Sequence, residues 1–122
     1  MSPFSNKKIG AIGEKLALTY LKNKGYRLLQ KNFYCHWGEI DLIFKKEDRL
    51  IFVEVKTRIG DKKGKPYEAV NFYKIKDLKR AINYYLLKKK CFQSKLSLDV
   101  ISITLNSDLS LKEIKHFEEV IN

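Results

Sequence analysis

Asp41, Glu54 and Lys56 are the residues whose types and spacing suit chemistry on a phosphate. Asp41 stands in the run Gly38-Glu39-Ile40-Asp41-Leu42-Ile43-Phe44, and Glu54 and Lys56 close the run Leu50-Ile51-Phe52-Val53-Glu54-Val55-Lys56. Both runs are apolar enough to be buried, and burying an unpaired carboxylate costs several kcal/mol unless a cation compensates it. Carboxylate oxygens suit Mg²⁺ or Mn²⁺, ions that keep several waters and bind substrate phosphate as well. Such an ion makes water a nucleophile at neutral pH and stabilises charge on the phosphate. Lys56 is suited to orient that water or to neutralise the developing charge. Glu14, on a preceding helix, is a further ligand or base within reach of the same place.

The elements that must position these groups follow from periodicity. Ile9, Ile12, Leu16, Ala17, Tyr20 and Leu21 recur at three- and four-residue spacing and predict a helix over 6–24. Ser5 or Asn6 suits its cap and Gly25 its stop. Gly10 and Gly13 weaken that helix by up to about 1 kcal/mol each relative to Ala, which suggests close packing on that turn. Strands are expected over 26–34, 38–45 and 50–57, the last two joined by the polar turn Lys46-Glu47-Asp48-Arg49. A basic glycine-containing loop over 59–66 leads to a second amphipathic helix over about 71–89, then a strand over 97–105 and a weak one near 111–117. The expected class is α/β, a mixed sheet flanked by helices in the order α-β-β-β-α-β-β. A single domain over 1–122 is expected, with residues 1–5 flexible.

Side chains alternate along a strand. Glu39, Asp41 and Ile43 therefore share one face and Ile40, Leu42 and Phe44 the other, while Phe52, Glu54 and Lys56 share a face in the next strand. With Glu47 and Asp48 as the two central residues of the hairpin, Asp41 lies across from Glu54, Cβ atoms about 5 Å apart. Two carboxylates at that separation repel unless a cation lies between them. A three-residue loop without a bulge would instead put them on opposite faces. The competing reading is a Glu54–Lys56 ion pair on an exposed sheet face with Asp41 solvated beside it.

Charge points to the partner. The chain of 122 residues is 44% apolar and carries 25 Lys and Arg against 14 Asp and Glu, a net +11. Residues 56–95 alone hold 13 Lys and Arg against three acids, a net +10, so nearly all the excess follows the acidic strands. A polyanion is the expected partner, nucleic acid ahead of an anionic membrane, through salt-sensitive phosphate contacts. Of the 25 cations 21 are lysines, so a solvated lysine-rich surface is the plainer alternative. No run reaches the roughly 18 apolar residues of a membrane span, and no signal-peptide pattern opens the chain. Cys35 and Cys91 lack metal-site spacing and read as reduced thiols, so a cytoplasmic location is expected.

Asp41 followed by Glu54-Val55-Lys56 resembles the PD-(D/E)xK signature of the restriction-endonuclease-like nucleases, with the leading proline absent. Gly10-x-x-Gly13-Glu14, Gly38-Glu39-Ile40-Asp41-Leu42-Ile43, Phe52-Val53-Glu54-Val55-Lys56-Thr57-Arg58, Lys74 with Ala81-x-x-Tyr84-Tyr85-Leu86, and Asp99-Val100-Ile101 together resemble the YraN family of small bacterial proteins. That family is similar to the archaeal Holliday-junction resolvases. The resemblance implies a restriction-endonuclease-like fold and Glu14, Asp41, Glu54 and Lys56 as the catalytic quartet. It also implies Asp41, Glu54 and the backbone carbonyl of Val55 as ligands of Mg²⁺ or Mn²⁺. One departure stands out: the family usually has Arg-Phe before the aspartate matching Asp99, where this chain has Ser97-Leu98. Either another cation such as Arg58 or Lys74 does what that arginine does, or it is not done here.

The function expected is metal-dependent phosphodiester hydrolysis on structured or branched DNA, with Arg58, Lys62, Lys63, Lys65 and Lys74 on the backbone phosphates. RNA is left open as a substrate, and cutting both strands of a junction would favour a homodimer. The alternatives are a non-catalytic nucleic-acid-binding module on the same fold and a protein-interaction adaptor. Glu39 is either a supporting group or an edge carboxylate, and Asp99 is expected to be structural, paired with a cation. His36 and Trp37 read first as packing and surface, and His116 as surface. Lys88-Lys89-Lys90 reads as a solvated helix end. Tyr67, Phe72, Tyr73, Tyr84 and Tyr85 have faces that suit base stacking, with core packing expected for most of them.

Overall fold

A computed structural model describes residues 4–60, 72–91 and 95–120. The chain forms α1 (Asn6–Asn23), β1 (Arg27–Cys35), β2 (Gly38–Lys46), β3 (Arg49–Ile59), α2 (Phe72–Lys89), β4 (Lys95–Leu105) and β5 (Leu111–Phe117). The five strands make one sheet in sequence order, antiparallel except for the parallel pair β3 and β4. A parallel pair needs a crossover, and α2 lies in it. The α-β-β-β-α-β-β order and the mixed sheet expected from the sequence are what forms.

The helices cover opposite faces. Ile9, Ala17 and Leu21 of α1 pack with Leu42, Phe44, Ile51, Val53, Ile101, Ile103 and Leu105. Leu78, Ala81, Ile82 and Tyr85 of α2 pack with Phe33, Ile40, Ile43, Leu50, Phe52 and Leu98. β3 and β4 sit in the middle of the sheet and face both clusters, which is why their sequences are nearly continuous in apolar residues.

Local chemistry sets the ends of α1. Ser5 Oγ accepts the Lys8 N–H at 3.1 Å. At the other end Tyr26 N–H reaches Leu21 O and Gly25 N–H reaches Lys22 O, a Schellman closure with Gly25 at φ +89°. Of the two helix glycines only Gly13 meets a neighbour: a Cβ there would collide with the Thr57 hydroxyl of β3, whereas a Cβ at Gly10 meets nothing. The close packing expected at both glycines therefore holds at Gly13 alone, where α1 lies against β3.

Lys46 pairs with Arg49 across the β2–β3 hairpin, so Glu47 and Asp48 are its two central residues, with Glu47 at φ +56°. The ladder runs from there to Leu42–Val53. Strict alternation then fails. Leu42 and Phe44 join the α1 cluster, but Ile40 joins the α2 cluster beside Ile43, so Ile40 does not share the face expected of it. The pleat flips at Asp41, and the opposed strand β1 is distorted at the same level by Asn32, at φ +50°. Among the described residues no helix is long and apolar enough to cross a membrane.

Candidate functional site

The functional groups lie where β2 parts from β3, in two sets: Asp41 turns to Glu14 on the α1 side and Glu54 to Lys74 on the α2 side, so the two do not share the face expected of them. One residue beyond the last ladder pair, Asp41 takes the Val55 N–H with its side chain, Oδ2 accepting at 2.7 Å. A carboxylate thus stands in for the backbone carbonyl that a continued ladder would supply. The deformation carries Asp41 toward α1, where Glu14, Glu39 and Asp41 each present a carboxylate oxygen within 4.8 Å of the others. Burial pushes the Asp41 carboxyl up to about 8; the charge of Glu54 adds to the rise, the Val55 N–H opposes it, and Glu14 and Glu39 add smaller contributions.

Glu54 is 4% exposed. Its Oε1 lies 3.7 Å from Lys56 Nζ and 3.6 Å from Lys74 Nζ of α2, while Oε2 is buried with no hydrogen-bond partner. Burial raises the Glu54 carboxyl, and the ammonium groups of Lys74 and Lys56 pull against it. The buried environment of Glu54 speaks against a solvated Glu54–Lys56 pair on an open sheet face.

A divalent cation is a chemical fit to these groups. Glu14, Glu39 and Asp41, all half-buried, bring their oxygens together as a hard-oxygen donor set of the type that Mg²⁺ and Mn²⁺ take, and Glu54, with its orphaned oxygen, is not part of that group. Lys74, expected on a phosphate, instead lies against Glu54, 41% exposed at the rim. Arg58 is half-buried and its Nε has no hydrogen-bond partner. Lys62, Lys63, Lys65 and Tyr67 lie outside the described residues, as do the side chains of Phe72 and Tyr73. Val55 is in place through its N–H to Asp41.

The family model described as "Uncharacterised protein family UPF0102" matches residues 13–103, a span that holds Glu14, Asp41, Glu54, Lys56 and Asp99. The chain belongs to this family. A UPF0102 protein of Clostridium botulinum (strain 657) is 43% identical over 117 residues, covering 93% of this chain and 95% of its own. One from Syntrophomonas wolfei is 44% identical over 105 residues, covering 86% and 91%. One from Caldanaerobacter subterraneus is 39% identical over 117 residues, covering 95% and 96%.

Two features of this UPF0102 chain were not expected from its sequence. The first is Asn32, whose side-chain amide donates to Glu14 Oε1 at 3.0 Å and to Glu39 Oε1 at 2.6 Å. One NH₂ thereby holds together two carboxylates that would repel, and Glu39 becomes part of the cluster. The signal was an asparagine inside a strand, a residue strands disfavour and one that tolerates positive φ.

The second is a polar centre around Asp99. Its Oδ1 accepts from Ser97 Oγ at 2.5 Å and from Glu119 N–H at 3.0 Å, and His116 Nε2 is 2.7 Å from Oδ2. Burial alone would raise the Asp99 carboxyl, but the hydrogen bonds from His116, Ser97 and Glu119 outweigh it and hold it below the usual range. His116 is not a surface residue: its side chain is 4% exposed, covered edge-on by Tyr20 and Tyr26. Lys24 Nζ is 3.1 Å from its Nδ1. An ammonium only donates, so Nδ1 accepts and the ring proton sits on Nε2, aimed at Asp99. Ser97 and His116 thus satisfy Asp99, and Lys74, one of the two expected substitutes for the missing arginine, is engaged with Glu54 instead. A polar cavity of about 420 Å³ opens beside Asp99 at the hairpin end of β3, away from Glu54 and Lys56.

Proposed function

We propose that this UPF0102 protein is a metal-dependent endonuclease that hydrolyses phosphodiester bonds in structured or branched DNA. The observation that carries the reading is Glu54: a buried carboxylate with one oxygen unpartnered, Lys56 beside it, and the half-buried Asp41 close enough for their charges to interact. Asp41 and Glu54 are the residues to hold Mg²⁺ or Mn²⁺, with the Val55 carbonyl as the backbone ligand that the PD-(D/E)xK resemblance implies. An ion held there would supply positive charge to stabilise the attacked phosphate.

The chain's own residues do the rest. Lys56 orients the attacking water and balances the charge that develops on the phosphate. Glu14, held by Asn32, is the base that accepts a proton from that water. Lys74, 41% exposed beside Glu54, is a second cation for the incoming phosphate. Arg58 and the lysines that follow grip the backbone without reading sequence.

The test is incubation of the purified protein with branched, nicked and linear DNA, and with RNA, in Mg²⁺ or Mn²⁺ and then in chelator. Cleavage that needs metal, disappears in Glu54→Ala and leaves binding intact is the expected result. Tight binding without cleavage of any substrate in either metal would replace this reading with the non-catalytic module.

A further inference from the structure

The flank of α2 beside the β1–β2 turn carries groups that the proposed hydrolysis does not use. Trp37 stands in that turn, two residues before Glu39, and is 38% exposed. The Arg80 guanidinium lies over its ring, 4.7 Å from the centroid, and His36 meets its edge at 4.9 Å. One turn further along α2 comes Tyr84, 43% exposed, backed by Phe33 at 6.1 Å, and then Lys88, whose ammonium is 6.0 Å from the Tyr84 ring. Positions 80, 84 and 88 fall on one helical stripe beside the buried face of Leu78, Ala81, Ile82 and Tyr85. Cations and aromatic faces therefore alternate along the exposed flank. Its single carboxylate, Asp77, lies 4.0 Å from Arg80.

Trp37 and Tyr84 are left partly at the surface, each with a cation beside its ring. The pattern suits a chain with flat faces and a regularly spaced negative charge. Bases stack on Trp and Tyr whatever their identity, while Arg and Lys meet the phosphates between them. In a duplex the base faces are hidden, so the complementary ligand is a strand with unpaired nucleotides. α2 also carries Lys74 at Glu54, and at 1.5 Å per residue the stripe begins roughly 9 Å along the helix from it. A strand lying on the stripe thus runs toward the carboxylate cluster.

We propose that Trp37, Arg80, Tyr84 and Lys88 form a stacking platform for unpaired nucleotides at the edge of the candidate site. It rests on the nucleic-acid reading above and adds to it the class of substrate: a branch or flap with a single-stranded arm.

Trp37 is the one tryptophan of the chain, so its fluorescence reports on the platform directly. The full-length protein, in chelator, is titrated with an oligothymidine strand and with a blunt duplex of equal length. Trp37 emission and the anisotropy of labelled DNA are read together. The platform predicts saturable quenching by the single strand and little by the duplex. Arg80→Ala and Tyr84→Ser should each weaken single-strand binding roughly tenfold, Tyr84→Phe should bind as wild type, and duplex affinity should move less than about twofold. Both variants alter exposed side chains, and a thermal melt checks that they fold. Single-strand binding seen by anisotropy with unchanged Trp37 emission, or unaffected by Tyr84→Ser, overturns the platform and leaves metal-dependent cleavage of duplex substrates standing. Equal quenching by anionic phospholipid vesicles overturns it in favour of a general polyanion surface. No binding to DNA or RNA by either readout overturns the platform and the nucleic-acid reading together.

Discussion

Two aspartates on this sheet meet opposite fates. Asp99 is surrounded by donors, Ser97, His116 and the Glu119 N–H, and its carboxyl is held below the usual range. Asp41 has one backbone donor and faces Glu14, Glu39 and Glu54, and its carboxyl is driven up to about 8. Both sit on strands of the same sheet under the same helix, so burial alone does not separate them. The difference lies in what the protein supplies. Around Asp99 every charge is answered from within and the group acts as structure. Around Asp41 a single backbone N–H is set against three neighbouring carboxylates, and the answer is left short.

The comparison is broken most directly at Asp99. Asp99→Ala leaves the His116 N–H buried without its partner and is expected to cost about 1–3 kcal/mol, read as a lowered midpoint in urea. A loss below about 1 kcal/mol would show that the two centres do not differ in the way described. The pH dependence has a definite sign. A carboxyl depressed in the folded state contributes stability above its unfolded pKa that is lost as pH falls through the folded value. The acid limb of the unfolding curve should therefore flatten in Asp99→Asn.

The opposite centre should respond in function. Glu54→Gln should abolish the rise in melting temperature that Mn²⁺ gives the wild type. Lys56→Ala should lower cleavage by roughly a hundredfold. A wild type whose melting temperature does not move in Mn²⁺ would argue against a cation at Asp41 and Glu54. Asn32→Ala, which frees Glu14 and Glu39 from each other, should weaken Mn²⁺ binding by about 10- to 100-fold with little change in fold, measured by calorimetry.

Asp41→Asn tests the sign at the unanswered site. A carboxyl raised in the folded state favours the folded protein at low pH, and that advantage disappears as pH rises from the unfolded value toward about 8. In chelator the Asn variant, which keeps an acceptor for the Val55 N–H, should exceed the wild type in stability by a margin that widens over that window. A margin independent of pH would contradict the assignment.

The smallest expected effects come from α1. Gly10→Ala meets open space and should stabilise by about 0.5–1 kcal/mol. Gly13→Ala drives a methyl into Thr57 and should destabilise by about 1–3 kcal/mol. Equal melting temperatures for the two variants would mean that α1 does not press on β3 at Gly13.

The elements were legible because each carries its own period. The buried stripe of Ile9, Ala17 and Leu21 is enough for α1, and the two apolar runs around a four-residue polar turn are enough for the hairpin. The hairpin register was legible as well, since a two-residue turn leaves one pairing. Asp41 shows where this ends. Regular alternation put it opposite Glu54 in a continuing ladder, but the strand flips there and the carboxylate caps the Val55 N–H. No local pattern announces such a flip, because its cause is a donor on another strand. His116 was misjudged for the same reason: a weak strand gives no hint that its histidine closes over Asp99 from β4.

The sequence by itself determined the α/β order, the placement of positive charge after the acidic strands, and the identities of Glu14, Asp41, Glu54 and Lys56 as the groups to watch. The order and the charge follow from periodicity and composition, which are properties of neighbouring residues, and the quartet from the family resemblance of the motifs that hold it. Only the tertiary structure decided which buried carboxylate is satisfied and which is not. Hydrogen-bond partners for Asp99 come from β4, β5 and the segment after it, and those for Asp41, Glu14 and Glu54 from β3, β1 and α2. Satisfaction of a buried charge depends on what arrives beside it through space, and spacing along the chain does not carry that information.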